Sequence, residues 1–130
     1  EALSDSELLK NQRILVIDDS RDNQVLIQRM LERRGAHVDF ASDGRSGVEL
    51  AQHERFDLIL MDLQMPEIDG FEATRRLRAA GSKVPIVALT AHVIEEVRGE
   101  CTLAGCDGFL AKPIQAVELL KTVRALATHH

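Results

Sequence analysis

Four short stretches of the chain are apolar without interruption: Ile14-Leu15-Val16-Ile17, Leu58-Ile59-Leu60-Met61, Ile86-Val87-Ala88-Leu89 and Phe109-Leu110-Ala111. A weaker fifth, His37 to Phe40, lies between the first two. A strand with one wet face alternates apolar and polar residues, whereas a strand covered on both faces has no polar side to show. These runs therefore predict the buried strands of a parallel sheet. Parallel strands need long crossovers, and the intervening segments carry helical patterns. One starts near Ser20, a suitable N-cap, places Leu26, Ile27, Met30 and Leu31 on one face, and stops at Gly35. Others run from about Arg45 to His53, Phe71 to Ala80 and Ile94 to Ala104. The last carries Ala116, Leu119, Leu120, Val123 and Ala127 on an amphipathic face. The expected fold class is α/β: a doubly wound (βα)5 chain with a five-stranded parallel sheet, right-handed crossovers and helices on both faces.

Composition narrows the function. A chain of 130 residues is one domain, with no internal repeat and no second core. Its formal charge of −5 argues against direct binding to nucleic acid or anionic lipid, and the absence of Trp and Tyr leaves little for base stacking. Two cysteines, Cys101 and Cys106, are too few for a disulfide framework or a zinc site and read as reduced thiols. No apolar stretch approaches the ~20 residues of a membrane helix and no signal peptide opens the chain. The domain is thus expected to be cytoplasmic, without membrane contact of its own. Residues 1–12 read as a polar linker or leader with a short helical turn around Glu7 to Lys10, residues 13–128 as the domain, and His129-His130 as a tag remnant.

In an open α/β sheet, ligands bind beyond the carboxyl ends of the strands, beside the point where the strand order reverses. Asp18 and Asp19 follow the first apolar run, Asp62 the third, Thr90 the fourth, and Lys112-Pro113 the fifth. The second ends in Ala41-Ser42-Asp43-Gly44, without an evident candidate. Any one of these residues has a plain explanation: an Asp-Ser after a strand caps a helix, and a lone Thr or Lys is a turn residue or a solvated charge. Together they are specific. Three carboxylates gathered in one crevice repel one another, and a hard divalent cation such as Mg²⁺ resolves the repulsion with oxygen ligands. A metal, the Lys112 ammonium and the Thr90 hydroxyl aimed at one carboxylate are the parts that stabilise phosphoryl transfer onto it.

Asp18-Asp19, Asp62, Leu89-Thr90-Ala91 and Lys112-Pro113 resemble the signatures of response-regulator receiver domains. Met61 to Gly70 is similar to that family's phosphorylation loop, and Gly108 to Pro113 to its fifth strand and following turn. The likeness covers about Arg13 to Thr128. It implies a flavodoxin-like fold with strand order 2-1-3-4-5. It further implies Asp62 as phosphoacceptor and Mg²⁺ held by Asp19, Asp62 and the backbone carbonyl of Gln64, with Asp18 acting mainly through water. Lys112 would bridge to Asp62 and then to the phosphoryl group. Thr90 would move toward that group, and Phe109 would be the switch aromatic that follows it. The family often has Tyr at this position, so any readout through its hydroxyl is absent here. The Lys112-Pro113 bond is expected to be cis. Gln64 and His92, two residues after Asp62 and Thr90, would influence how long the phosphoryl group survives. His92 reads as a partly exposed residue at a helix start, with no catalytic role assigned, and His37 and His53 read as structural.

The resemblance makes the chain a phosphoacceptor with slow autodephosphorylation rather than a stand-alone enzyme. Its donor would be a histidine kinase phosphohistidine or a histidine phosphotransfer domain. A Mg²⁺-dependent aspartyl hydrolase would need a second acid where Gln64 stands, and also a cap domain. A pseudo-receiver serving only as a docking surface is at odds with the intact acids, Thr90 and Lys112. Met61 to Arg78 and Leu89 to His92 are similar to receivers of hybrid sensor histidine kinases, the favoured parent. The alternative is a regulator whose DNA-binding or enzymatic output part is not in this chain. No ATP-binding motif is present, so no kinase activity is assigned. Docking is expected near Arg21, Asn23, Gln24, Val25 and Pro113, and output through the fourth helix, fifth strand and fifth helix, with phosphorylation-dependent dimerisation as an option. Cys101 and Ala104 are expected to pack inward.

Overall fold

The computed structural model describes residues 8–92 and 94–127. Strands and helices alternate: β1 (Arg13–Ile17), α1 (Arg21–Glu32), β2 (His37–Ala41), α2 (Gly44–His53), β3 (Leu58–Asp62), α3 (Gly70–Ala79), β4 (Ile86–Thr90), α4 (Glu95–Ala104), β5 (Gly108–Ala111) and α5 (Ala116–Leu126). All pairings are parallel, and the sheet runs β2-β1-β3-β4-β5, in the expected order.

Each continuous apolar run is two interleaved faces, because successive side chains of a strand point to opposite sides. Ile14, Val16, Leu58, Leu60, Val87 and Leu89 pack on one side with Ile27 and Leu31 of α1 and Leu119 and Val123 of α5. Leu15, Ile17, Ile59, Met61 and Ile86 pack on the other with Val48 of α2 and Ala73 and Leu77 of α3. Under α4, Leu63, Ala88 and Cys101 form a smaller cluster with Phe71, Val97, Cys106 and Phe109. Both cysteines are free; Cys101 and Ala104 are buried, as expected.

Side-chain caps set the helix starts. Ser20 accepts the backbone N–H of Asn23, Asp43 that of Ser46 and Asp69 that of Glu72. The two aspartates bring α2 and α3 in one residue earlier than the apolar periodicity alone suggests, at Gly44 and Gly70. The α4 helix starts at Glu95 with Ile94 as its cap residue, and no side chain caps it. It ends at Gly105 in the left-handed region at φ 111°, where a Cβ would come within 2.7 Å of Arg78 Cγ. The Arg78 guanidinium in turn donates to the Gly105 carbonyl at 3.0 Å and to Asp107 at 2.9 Å, tying α3 to the turn before β5.

The leader read for residues 1–12 is not a bare tether at its end. Residues 8–11 form a turn, Leu9 is only 2% exposed within the core, and its N–H donates to the Arg34 carbonyl at 2.7 Å. Two adjacent leucines in a polar stretch carry that signal, since burying them removes apolar area from water. Glu7, Thr128 and the His129-His130 pair lie outside the described residues. Among the described residues no helix is long and apolar enough to cross a membrane.

Candidate functional site

Strand register assembles the site. Ile17 lies opposite Met61, so Asp18, one residue on, falls beside Asp62, the last residue of β3. Asp62 lies opposite Leu89, and Thr90 is the last residue of β4. Thr90 lies opposite Ala111, and the N–H of the next residue, Lys112, donates to the Thr90 carbonyl at 2.8 Å. Asp62 and Thr90 thus end their strands instead of following them, a shift of one residue that leaves them at the same carboxyl-end crevice.

Asp18, Asp62 and Thr90 are buried at 0%, 1% and 3% exposure, while Asp19 is exposed. Carboxylate oxygens of Asp18, Asp19 and Asp62 lie within 4.8 Å of one another. The Lys112 ammonium donates to Asp62 Oδ1 at 3.0 Å and lies 3.7 Å from Asp18 Oδ2. The backbone N–H of Gln64 donates to the same Asp62 Oδ1 at 3.1 Å. Both donors share one oxygen, and Asp62 Oδ2 takes no hydrogen bond among the described residues. Burial pushes the Asp62 carboxyl up to about 6; Lys112 and the Gln64 N–H pull against it, and the Asp18 carboxylate adds to the rise. One ammonium does not compensate three acids here. The donor set, all hard carboxylate oxygens and two of them desolvated, fits a hard divalent cation.

Asp18 is fixed from both sides. Its Oδ1 accepts the Ser20 N–H at 2.8 Å, its Oδ2 the Asn23 amide at 3.4 Å, and its main-chain carbonyl the Gln24 side-chain amide at 2.6 Å. Gln24 also donates to the Ser42 hydroxyl at 3.2 Å. This corrects the docking expectation for Gln24, which is 3% exposed and holds the end of β1 from inside. The signal lies in its spacing: Gln24, Ile27 and Leu31 share the inward face of α1, and a polar residue in an apolar stripe needs a buried partner. Arg21 and Pro113 are exposed, and Val25 is partly so.

Thr90 does not face an open crevice with a loose hydroxyl. Its Oγ1 accepts the His92 N–H at 3.0 Å and lies 3.3 Å from the His92 carbonyl. His92 meets it through its backbone, and its side chain is exposed. Phe109, partly buried and opposite Ala88, has the Arg98 guanidinium over its ring at 4.5 Å, a contact that sequence patterning does not reveal. The Lys112-Pro113 bond is cis. Gly70 lets the loop after Asp62 return to the strand end, because a Cβ there would lie 2.3 Å from the Asp62 carbonyl oxygen. His37 and His53 stand away from this cluster: His37 is exposed, 3.7 Å from Asp39, and His53 contacts the Glu49 carbonyl at 2.8 Å.

Residues 14–124 match the response regulator receiver domain family. The chain is 41% identical over 116 residues to the sensor protein GacS of Pseudomonas syringae pv. syringae, covering 85% of this chain and 13% of that protein. It is 42% identical over 116 residues to the response regulator MprA of Mycolicibacterium vanbaalenii, covering 88% of this chain and 49% of that one. The chain therefore spans about half or less of these relatives. Among solved structures, the receiver domain of the sensor histidine kinase PA1611 from Pseudomonas aeruginosa PAO1 superposes with a TM-score of 0.82 at 40% identity, covering 88% of this chain and 96% of that domain. That structure carries a magnesium ion in its active site cleft. Register, acidic cluster and family match converge: this chain belongs to the receiver domains of two-component response regulators.

Proposed function

We propose that Asp62 accepts a phosphoryl group from a phosphohistidine partner, and that Lys112, Thr90 and the acidic cluster carry the transfer. The observation behind this reading is Asp62 itself, 1% exposed, with one oxygen held by Lys112 at 3.0 Å and the other without a hydrogen bond among the described residues. Asp62 Oδ2 attacks phosphorus as the phosphorus–nitrogen bond of the donor breaks, and the departing imidazole keeps the electron pair and takes up a proton. Lys112 fixes the carboxylate before attack and meets the phosphoryl oxygens after it. Thr90, released from the His92 backbone, donates to one of them. Mg²⁺, held by Asp18, Asp19, Asp62 and the Gln64 carbonyl, would supply positive charge against the transferring oxygens. Gln64 and His92 flank the acylphosphate and set how readily water reaches it.

The similarity to GacS and to the PA1611 receiver supports a hybrid sensor histidine kinase as parent, with a histidine phosphotransfer domain as the next acceptor. The similarity to MprA supports the second reading, a regulator with an output part. In either parent the switched surface is α4, β5 and α5, and phosphorylation-dependent pairing of two copies would use it. The test is incubation with Mg²⁺ and acetyl phosphate followed by intact-mass measurement. One phosphoryl addition is expected, absent without Mg²⁺ and absent in Asp62→Asn. No addition to a folded, Mg²⁺-loaded protein overturns the reading.

A further inference from the structure

Phe109 has one contact that the site described above does not use, with Arg98 of α4. Arg98 lies one turn beyond Ile94 on α4, with Glu95, Glu96 and Glu100 as neighbours on the same helix. A guanidinium three residues after Glu95 is placed to pair with it. Among the described residues it forms no such ion pair; it lies over the Phe109 ring, 4.5 Å from the centroid. The ring packs against Leu63 just beyond β3, Ala88 of β4 and Cys101 of α4, and the Arg98 guanidinium lies over its face. Phe lacks the hydroxyl through which a Tyr could be anchored, so the ring's face is the handle that remains, and a cation over that face is attracted by its quadrupole. Phe109 lies opposite Ala88 of β4, and two residues further along that strand Thr90 is held by its two contacts with the His92 backbone.

We propose that Arg98 is a positioning residue for phosphoryl transfer, acting as an electrostatic latch that holds Phe109 in its place under the guanidinium and so opposes the movement of Thr90 toward Asp62. The inference rests on Asp62 being the phosphoacceptor. A ligand or contact shifts a two-state equilibrium only by its differential interaction with the two states. An exposed guanidinium–ring contact is of a size to change the populations by roughly two- to fivefold. Arg98 is exposed, so its replacement leaves the core intact.

The experiment follows acetyl phosphate labelling rates with Mg²⁺ for the unsubstituted chain, Arg98→Gln and Arg98→Lys, with NMR of the Phe109 ring in each. It is repeated with progressively fluorinated phenylalanine at position 109, which empties the ring face of negative potential with little change in shape. Arg98→Gln is expected to label about two- to fivefold faster and to shift the Phe109 signals toward their phosphorylated positions, in line with the strength of the lost contact. Arg98→Lys should fall between. Fluorination should reproduce the acceleration in the Arg98 background and have no effect in Arg98→Gln. Equal rates and unchanged ring signals overturn the latch while labelling of the unsubstituted chain upholds the acceptor reading. A fluorination effect that persists in Arg98→Gln overturns it too. Absence of labelling in the unsubstituted chain refutes the acceptor reading itself, and the latch falls with it.

Discussion

At the scale of single residues the site is a balance of unlike charges in a place with little water. Asp62 is nearly without exposure, its carboxyl is pushed up to about 6 by burial, and the Lys112 ammonium shares its Oδ1 with one backbone N–H. A carboxyl whose folded value lies above its unfolded value binds more protons in the native state between the two. Stability from this group is therefore present at low pH and lost as pH rises through about 6. Asp62→Asn removes the titration. In metal-free protein the variant is expected to match the unsubstituted chain near pH 4, then to exceed it by about 1–3 kcal/mol above pH 7 in denaturant unfolding. A variant less stable at every pH would contradict the burial argument. Gln24 is the second residue to test. Gln24→Met keeps the volume but leaves the Asp18 carbonyl without its 2.6 Å donor. A loss of about 1–3 kcal/mol is expected, together with slower labelling, because a buried carbonyl is left unpaired and the end of β1 is no longer held.

At the scale of elements, β3, α3 and the loop between them do most of the positioning. The chain leaves Asp62, passes through Glu67 in the left-handed region at φ 66°, and returns at Gly70 against the strand it left. Gly70→Ala would put a Cβ 2.3 Å from the Asp62 carbonyl oxygen. Either α3 or the acceptor strand must shift. A cost of about 1–3 kcal/mol is expected in chemical denaturation, with labelling slowed more than stability alone explains. The strands were legible from sequence because burial on both faces leaves an unbroken apolar run, as in β3 and β4, where all five residues are buried. Helix starts were legible to within a residue, the offsets at α2 and α3 being set by the Asp43 and Asp69 caps. The turn at residues 8–11 was legible as a short helical turn around Glu7 to Lys10, but its packing was not, because the burial of Leu9 depends on where α1 ends. The Arg98–Phe109 contact was hidden for a related reason: a surface cation has several reachable partners, and only the assembled α4–β5 face selects among them.

At the scale of the whole molecule the two ends of the sheet have different work. The amino-terminal end is stitched by Arg13, which reaches Asp39 at 2.9 Å, Glu54, and the Phe56 ring at 4.7 Å. Arg13→Ala is expected to lower stability by about 1 kcal/mol, since its ion pairs are partly exposed, and to leave the labelling rate unchanged. A slowed rate with an intact fold would mean that the two ends are coupled. The carboxyl-terminal end gathers the acids; the candidate site was readable in sequence because Asp18, Asp62 and Thr90 close their apolar runs, and the parallel register stacks them. What one sequence could not supply is which neighbours those residues use, such as Ser20, Asn23 and Gln24 on Asp18, since these contacts follow from packing. The acceptor is the central claim, and chemical trapping tests it most directly. The protein is labelled with acetyl phosphate and Mg²⁺, reduced with borohydride, digested and sequenced by mass spectrometry. Reduction of an aspartyl phosphate leaves homoserine, expected at position 62 and nowhere else; homoserine at Asp18 or Asp19, or none in a folded and labelled chain, would contradict the account.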